Sequence, residues 1–121
     1  MYGVAFGRDG SWLATAGWDG LAVVWRDGAV ALRLAGHTGK LWTAAAHPTL
    51  PLLATAGDDR VIVLWHAETG ERLAGLTGHA GRILSLAFSP DGRTLAGAGE
   101  DGTVRLWTLP RTARSPYRQP P

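Results

Sequence analysis

Apolar residues along this chain fall into short runs, each bounded by residues that favour turns. Between Gly78 and Trp107, three such runs are separated by Ser-Pro-Asp-Gly and Glu-Asp-Gly, sequences typical of tight turns. The runs lie too close together for crossover helices, so the pattern predicts antiparallel strands joined by short connections. Several runs are apolar at nearly every position, which predicts sheets that are buried on both faces.

The same pattern recurs along the whole chain and predicts eleven strands. They cover residues 2–6, 12–16, 21–25 and 30–34, then 41–46, 52–56, 61–65 and 72–76, then 83–88, 94–98 and 103–107. Residues 110–121 are rich in proline, which cannot donate a hydrogen bond to a neighbouring strand. We therefore expect a disordered tail there and no fourth strand in the last group.

An internal repeat underlies this grouping. An aspartate followed six residues later by a tryptophan occurs three times, and the tryptophans are 40 and 42 residues apart. Gly-His pairs at residues 36–37 and 78–79 each precede the next of these tryptophans by the same distance. A four-stranded sheet buried on both faces needs a sheet on each side, so repeats of this length favour radial stacking into a propeller.

The Gly-His, Ser-Pro-Asp-Gly, Leu-Ala-x-x-Gly-x-Asp and Val-x-Leu-Trp motifs together resemble those of WD40 repeats. The resemblance covers residues 1–109, although Trp stands at the end of each repeat where the family has Trp-Asp. It implies an all-β fold of antiparallel four-stranded blades. The implied blades are residues 1–35, 36–77 and 78–109, of which the last lacks its outer strand.

The resemblance also implies a hydrogen-bonded tetrad of His, Ser or Thr, Asp and Trp within each blade. The second blade has the complete set, the histidine position of the first falls before Met1, and Gly97 replaces the hydroxyl residue of the third. The implied residues are His37, Thr55, Asp59 and Trp65; Thr15, Asp19 and Trp25; and His79, Asp101 and Trp107. We expect the three tryptophans to lie in the core.

A binding surface is implied at the rim of the top face. In the family, this rim is lined by the residue just inside the first strand of each blade, and the residue before each turn aspartate should lie nearby. Here these residues are Tyr2, Trp42 and Leu84, and Trp18, Asp58 and Glu100. Exposed aromatic clusters favour protein-partner binding. The alternative is that Trp18 and Trp42 only cover neighbouring blades.

The sequence gives little support for catalysis or metal binding. The chain has no cysteine, its four histidines lack metal-ligand spacing, and phosphate-loop and nucleophile-elbow motifs are absent. His37, Thr55 and Asp59 superficially resemble a hydrolase triad, but the repeat favours a structural role. We predict no metal, no cofactor and no catalysis. The alternative is a propeller hydrolase at the central channel, where strand starts offer Tyr2, Lys40 and Arg82 but no carboxylate.

Charge and hydropathy limit the other partners. The net charge is +2, and removing Arg111, Arg114 and Arg118 of the tail leaves −1, so nucleic-acid binding is not expected. Binding of nucleic acid or an acidic partner through the tail is kept as an alternative. No apolar run is long enough to cross a membrane. We expect a cytoplasmic protein, and the excess of arginine over lysine is typical of bacterial coding.

Three blades make an incomplete propeller. An uncovered blade face of roughly 300 Å² forgoes up to about 7 kcal/mol of apolar burial. Two such faces approach the whole stability of a domain, about 5–15 kcal/mol. The chain is therefore expected to be a fragment of a longer propeller or to close by association of copies. Two copies would supply six blades and three copies nine.

Overall fold

The chain folds into three small antiparallel sheets. The computed structural model describes residues 3–7 and 10–109. The first sheet contains β1 (Gly3–Phe6), β2 (Trp12–Ala16), β3 (Leu21–Arg26) and β4 (Ala29–Ala35), paired in that order. The second contains β5 (Leu41–Ala46), β6 (Leu52–Gly57), β7 (Ile62–His66) and β8 (Arg72–Leu76). The third contains β9 (Ile83–Phe88), β10 (Thr94–Gly99) and β11 (Val104–Thr108).

The predicted all-β fold of about three propeller blades is confirmed. Each strand begins and ends within one residue of its predicted position over the described part of the chain. The third sheet has three strands among the described residues, as the sequence predicts. Tyr2 and the predicted tail, residues 110–121, lie outside the described residues.

The turn between the second and third strands of each sheet, which is β2–β3, β6–β7 or β10–β11, is closed by an equivalent backbone hydrogen bond. Gly20 donates its N–H to Gly17 at 3.2 Å, and Gly102 donates to Gly99 at the same distance. Both donors have a positive φ, 84° and 83°, a conformation that glycine adopts without steric cost. Arg60 occupies the equivalent position of the second sheet with a φ of 66°. This turn therefore carries backbone strain that the other two lack.

The second sheet is the centre of the molecule because it packs against a neighbouring sheet on each face. Every residue of β6 and β7 is buried. One core cluster joins it to the first sheet, and a second joins it to the third. The first cluster includes Ala14, Val24, Leu53, Val63 and Trp65, and the second includes Ala54, Ile62, Leu64, Leu86 and Leu95.

Sheets buried on both faces were predicted except at the two ends of the three-blade array, and of the described sheets the second alone is covered on both faces. All three repeat tryptophans were expected to lie in the core. Trp65 is 3% exposed, whereas Trp25 and Trp107 are only half-buried. Trp25 lies on the face of the first sheet that turns away from the second, where no described residue of another sheet covers it. Trp107 packs towards the second sheet, but β11 is the edge strand of its own sheet.

The inner strands β1, β5 and β9 are neighbours, with β5 in contact with both of the others. Two of them carry a bulge near their start. Trp42 is the extra residue between Leu41 and Thr43 in β5, and Leu84 is the extra residue of β9. In a regular strand, side chains alternate between the two faces of the sheet. A bulge interrupts this alternation and changes the direction in which the side chain at the bulge points. Both bulges lie at the end of the molecule that also carries the β2–β3, β6–β7 and β10–β11 turns.

Candidate functional site

The second sheet contains a continuous hydrogen-bonded network. Trp65 Nε1 donates to Thr55 Oγ1 over 2.9 Å. Thr55 Oγ1 lies 2.7 Å from His37 Nε2, and His37 Nδ1 lies 2.8 Å from Asp59 Oδ2. The four residues lie on the loop before β5, on β6, on the turn after β6 and on β7. The network therefore connects the loop that enters the sheet to its central strands.

The network fits a neutral His37. Its Nδ1–H donates to Asp59, and its Nε2 accepts the hydroxyl proton of Thr55, whose oxygen accepts from Trp65. Burial lowers the pKa of His37 below its ordinary 6.5, although the Asp59 carboxylate acts in the opposite direction. Protonation of Nε2 would leave the Thr55 proton without an acceptor. Hydrogen bonding and burial thus favour the same protonation state.

His37, Thr55 and Asp59 are arranged to hold structure together. The Thr55 side chain is completely buried, and its oxygen already contacts the Trp65 indole and the His37 imidazole. A substrate would have to displace one of these rings to reach the hydroxyl. The resemblance to a hydrolase triad is therefore one of residue type only.

The first sheet has part of the same network. Trp25 Nε1 donates to Thr15 Oγ1 over 3.1 Å, and Asp19 Oδ1 accepts the N–H of Leu21 over 3.0 Å. A depression of about 330 Å³ lies beside these residues. It is in the position that His37 fills in the second sheet.

The third sheet has the histidine without the hydroxyl. His79 is 6% exposed, and neither of its ring nitrogens has a hydrogen-bond partner among the described residues. Asp101 instead accepts from the backbone and hydroxyl of Thr103, and these bonds lower its pKa. A Cβ atom at Gly97 would stand 3.0 Å from His79 Nε2. The missing side chain is thus at the place where a hydroxyl would meet the imidazole.

The predicted rim residues Trp18 and Trp42 lie together at the top of the molecule. Their ring centroids are 5.6 Å apart with planes tilted by 57°, and the ammonium of Lys40 stands 4.5 Å from the Trp18 ring. Trp18 is 49% exposed, and Trp42 is half-buried. The pair spans the junction between the first two sheets.

Polar contacts extend this surface to the third sheet. Trp42 donates its indole N–H to Asp58 over 2.5 Å. Arg82 Nε stands 3.5 Å from Asp58 and 3.6 Å from Glu100. We define the top rim as the six residues of this continuous series of contacts: Trp18, Lys40, Trp42, Asp58, Arg82 and Glu100.

Leu84, another predicted rim residue, is not among the residues of this series. Leu84 is 44% exposed and occupies the bulge of β9 that corresponds to Trp42 in β5. Tyr2 lies outside the described residues.

Lys40 and Arg82 belong to the rim although the sequence suggested them only as channel residues. Each extends from the start of an inner strand to the residue before the turn aspartate of the preceding sheet, namely Trp18 or Asp58. Lys40 and Arg82 occupy equivalent positions in the repeat, and this equivalence could have predicted that both belong to the rim. The structure also brings two carboxylates to Arg82, where the sequence indicated none, but both carboxylates pair with its guanidinium.

His47 is a second buried histidine with a defined role that sequence reasoning missed. It is 2% exposed, and its Nε2 donates to Gly92 of the third sheet over 3.0 Å. Its Nδ1 accepts the N–H groups of Thr49 and Leu50, each at 3.1 Å. His47 thus fixes its own turn and joins it to the next sheet. The signal was available, since Ser89 holds the equivalent place in the Ser-Pro-Asp-Gly turn.

In residues 3–7 and 10–109, no group of three His, Asp or Glu side chains is placed to hold a metal ion. The same residues include no helix that is long and apolar enough to cross a membrane.

Comparison with known families gives three consecutive matches. The sequence profile of the family described as "WD domain, G-beta repeat" matches residues 1–26, 28–66 and 70–108. Each matched segment contains one aspartate–tryptophan pair, and its bounds are offset from the sheets: residues 28–66 begin with β4 of the first sheet, and residues 70–108 begin with β8 of the second.

Individual relatives are similar over shorter stretches. A "Probable cytosolic Fe-S cluster assembly factor" of Schizosaccharomyces japonicus is 53% identical over 38 residues, which are 31% of this chain and 6% of that protein. "WD repeat-containing protein 41" of Mus musculus is 39% identical over 69 residues, 50% of this chain and 15% of that protein. "F-box-like/WD repeat-containing protein TBL1X" of Mus musculus is 36% identical over 64 residues, 52% of this chain and 12% of that protein. The matches thus span at most 15% of the length of these three relatives.

Proposed function

Because the chain belongs to the WD domain, G-beta repeat family, we propose that it is a non-catalytic scaffold that binds a protein partner through its top rim. The general role rests on the family and on relatives named for their WD repeats. The particular surface rests on the arrangement of Trp18, Trp42 and their neighbours.

The observation that carries the proposal is the exposed aromatic pair held by polar contacts. Trp18 is 49% exposed beside Trp42, and Asp58 fixes the Trp42 indole. Tryptophan is enriched among interface residues that contribute most to binding. A ring that is already held in place loses little conformational freedom when a partner covers it. These properties favour a partner-binding role over simple covering of the blades.

The proposal also includes the assembly to which the chain belongs and its location in the cell. The outer sheets each have an uncovered apolar face, which supports the prediction that the chain acts within a larger propeller. Two relatives named as cytosolic assembly factors support a cytoplasmic location. The relatives compared here are eukaryotic and give no support to the bacterial origin that the arginine content suggested.

Affinity capture with paired variants tests the rim. Wild-type protein, Trp42→Ala and the control Glu68→Ala serve as baits in the same cell extract, and bound proteins are quantified by mass spectrometry. Glu68 is exposed in the turn between β7 and β8, away from the rim. We expect a protein that wild type and Glu68→Ala retain equally and that Trp42→Ala retains at least tenfold less.

The control for folding is the near-ultraviolet circular dichroism of each bait. If a folded Trp42→Ala retains every partner as well as wild type does, the rim is not the binding surface. Losses shared by both variants would also count against the proposal, since they would not depend on the rim.

A further inference from the structure

Two sheet faces at opposite ends of the molecule are apolar and exposed. On the first sheet, Val4 and Phe6 are 57% and 65% exposed. On the third, Val104 and Leu106 are 66% and 68% exposed. Monomeric proteins rarely expose apolar patches of this kind unless something binds there.

The uncovered face of the first sheet repeats a face that is buried elsewhere in the same chain. Its residues Leu13, Thr15, Val23 and Trp25 correspond in the repeat to Leu53, Thr55, Val63 and Trp65, and all four pairs are identical in residue type. The second set is at most 3% exposed, because it packs against the first sheet. We call the first set, in which Thr15 is 7% exposed and the other three residues are half-buried, together with the exposed Val4 and Phe6, the tryptophan face.

The uncovered face of the third sheet corresponds in the repeat to the face of the second sheet that packs against the third sheet. Its residues are Ala96, Ala98, Val104 and Leu106, which we call the aliphatic face. Their equivalents in the second sheet are at most 1% exposed and pack against the third sheet. Those equivalents are Ala54, Ala56, Ile62 and Leu64.

The junction between the second and third sheets also shows that the two faces match in size. There, Ile62 and Leu64 belong to the same core cluster as Leu86, with Phe88 packed against it. Phe88 and Leu86 correspond to Phe6 and Val4 of the tryptophan face. The exposed faces are thus the two halves of a junction that the molecule already builds. A depression of about 410 Å³ on the tryptophan face, lined in part by Leu13, Thr15 and Trp25, leaves room for aliphatic side chains.

From this correspondence we propose that a second copy of the chain docks head to tail, the aliphatic face of one copy covering the tryptophan face of the next. The contact is heterologous, so each docking leaves one face of each kind open until the assembly closes as a ring. Neither face has a charged residue among those named. Association is therefore driven by apolar burial and persists at high salt. It does not depend on the rim.

The test uses the full chain and two variants that each disable one face. Val23→Arg alters the tryptophan face, Leu106→Arg alters the aliphatic face, and Glu68→Arg is an exposed control away from both. Mass is measured by light scattering after size exclusion, at several concentrations and salt levels. Wild type and Glu68→Arg are expected at two or three times the monomer mass. Each face variant alone is expected to be a monomer.

Mixing the two face variants makes the test decisive. Val23→Arg keeps an intact aliphatic face and Leu106→Arg keeps an intact tryptophan face, so the mixture is expected to form a one-to-one dimer that cannot grow. Circular dichroism of each variant shows that it is folded, and a variant that fails this check is replaced by Val23→Ser or Leu106→Ser.

Three results would overturn the proposal. They are a monomeric wild type, self-association that survives in either face variant, and a mixture that stays monomeric. The first would leave the faces to further blades or to a different protein. None of them would alter the outcome of affinity capture with Trp42→Ala, so the two proposals fail independently.

Discussion

At the scale of single residues, the three repeats show what one hydroxyl contributes. Thr55 joins His37 to Trp65, Thr15 accepts the indole N–H of Trp25, and His79 beside Gly97 has two buried nitrogens without a partner among the described residues. A buried polar group without a partner costs about 1–3 kcal/mol. The same fold thus contains a complete, a partial and a broken form of one network.

Removing the hydroxyl of Thr55 should cost far more than removing that of Thr15. Thr55→Val keeps the shape but leaves Trp65 Nε1 and His37 Nε2 unpaired, so we expect a loss of about 2–3 kcal/mol in the free energy of unfolding. Thr15→Val affects one half-exposed indole and should cost less than about 1 kcal/mol. Chemical denaturation at one fixed protein concentration measures both. Equal losses would show that the network contributes nothing beyond the single bond to tryptophan.

Stability should fall as the pH is lowered because His37 has a lowered pKa in the folded state. Unfolded His37 binds a proton near its ordinary value of 6.5, whereas the folded network does not, so protons favour unfolding. The contribution is complete above that value and is lost as the pH falls towards the lowered pKa. Denaturation between neutral pH and about pH 5 should show a smaller slope for His37→Asn than for wild type. Identical slopes would contradict a neutral His37.

At the scale of elements, the turns determine how the strands meet and where the rim lies. The β2–β3, β6–β7 and β10–β11 turns place Trp18, Asp58 and Glu100 at one end of the molecule, beside the inner-strand starts that carry Lys40 and Arg82. The bulge at Trp42 belongs to the same end. The rim is therefore a product of equivalent turns in three repeats, and only its side chains differ.

Replacing Arg60 by glycine should stabilise the turn of the second sheet. Its φ of 66° lies in the left-handed region, where glycine is favoured, so we expect Arg60→Gly to add about 0.5–1 kcal/mol. Gly102→Ala is the reverse control. An added Cβ there meets nothing within 4 Å, and its cost therefore reports the conformation alone. Thermal unfolding that shifts in the opposite direction for either variant would contradict this account of the turn.

Much of the fold could be predicted because the repeat fixes strand, turn and register together. The resemblance to WD40 repeats implied the roles of Thr55 and Asp59, and the structure places both in hydrogen-bond contact with His37. The contacts between sheets could not be predicted in the same way, because spacing within a repeat does not say which side chains of two repeats meet. The Arg82 contacts with Asp58 and Glu100, and the His47 bond to Gly92, appear only when the sheets are packed.

At the scale of the whole molecule, the second sheet supplies about half of the buried apolar core, and the outer sheets each leave one face open. Trp25 illustrates the difficulty for sequence reasoning, since its repeat equivalent Trp65 is buried and the two sequences are alike. What differs is the neighbour: the first sheet covers Trp65, and no described sheet covers Trp25. Burial at such positions depends on the assembly as well as on the residue.

The central claim, that the rim is the partner-binding surface, can be tested by amide hydrogen exchange with and without a protein that the wild-type bait retains. The account predicts slower exchange at the rim segments, residues 17–20, 40–43, 57–59, 82–84 and 99–101. Protection confined to the opposite turns, residues 47–51 and 89–93, or to the outer strands β4 and β8, would contradict it.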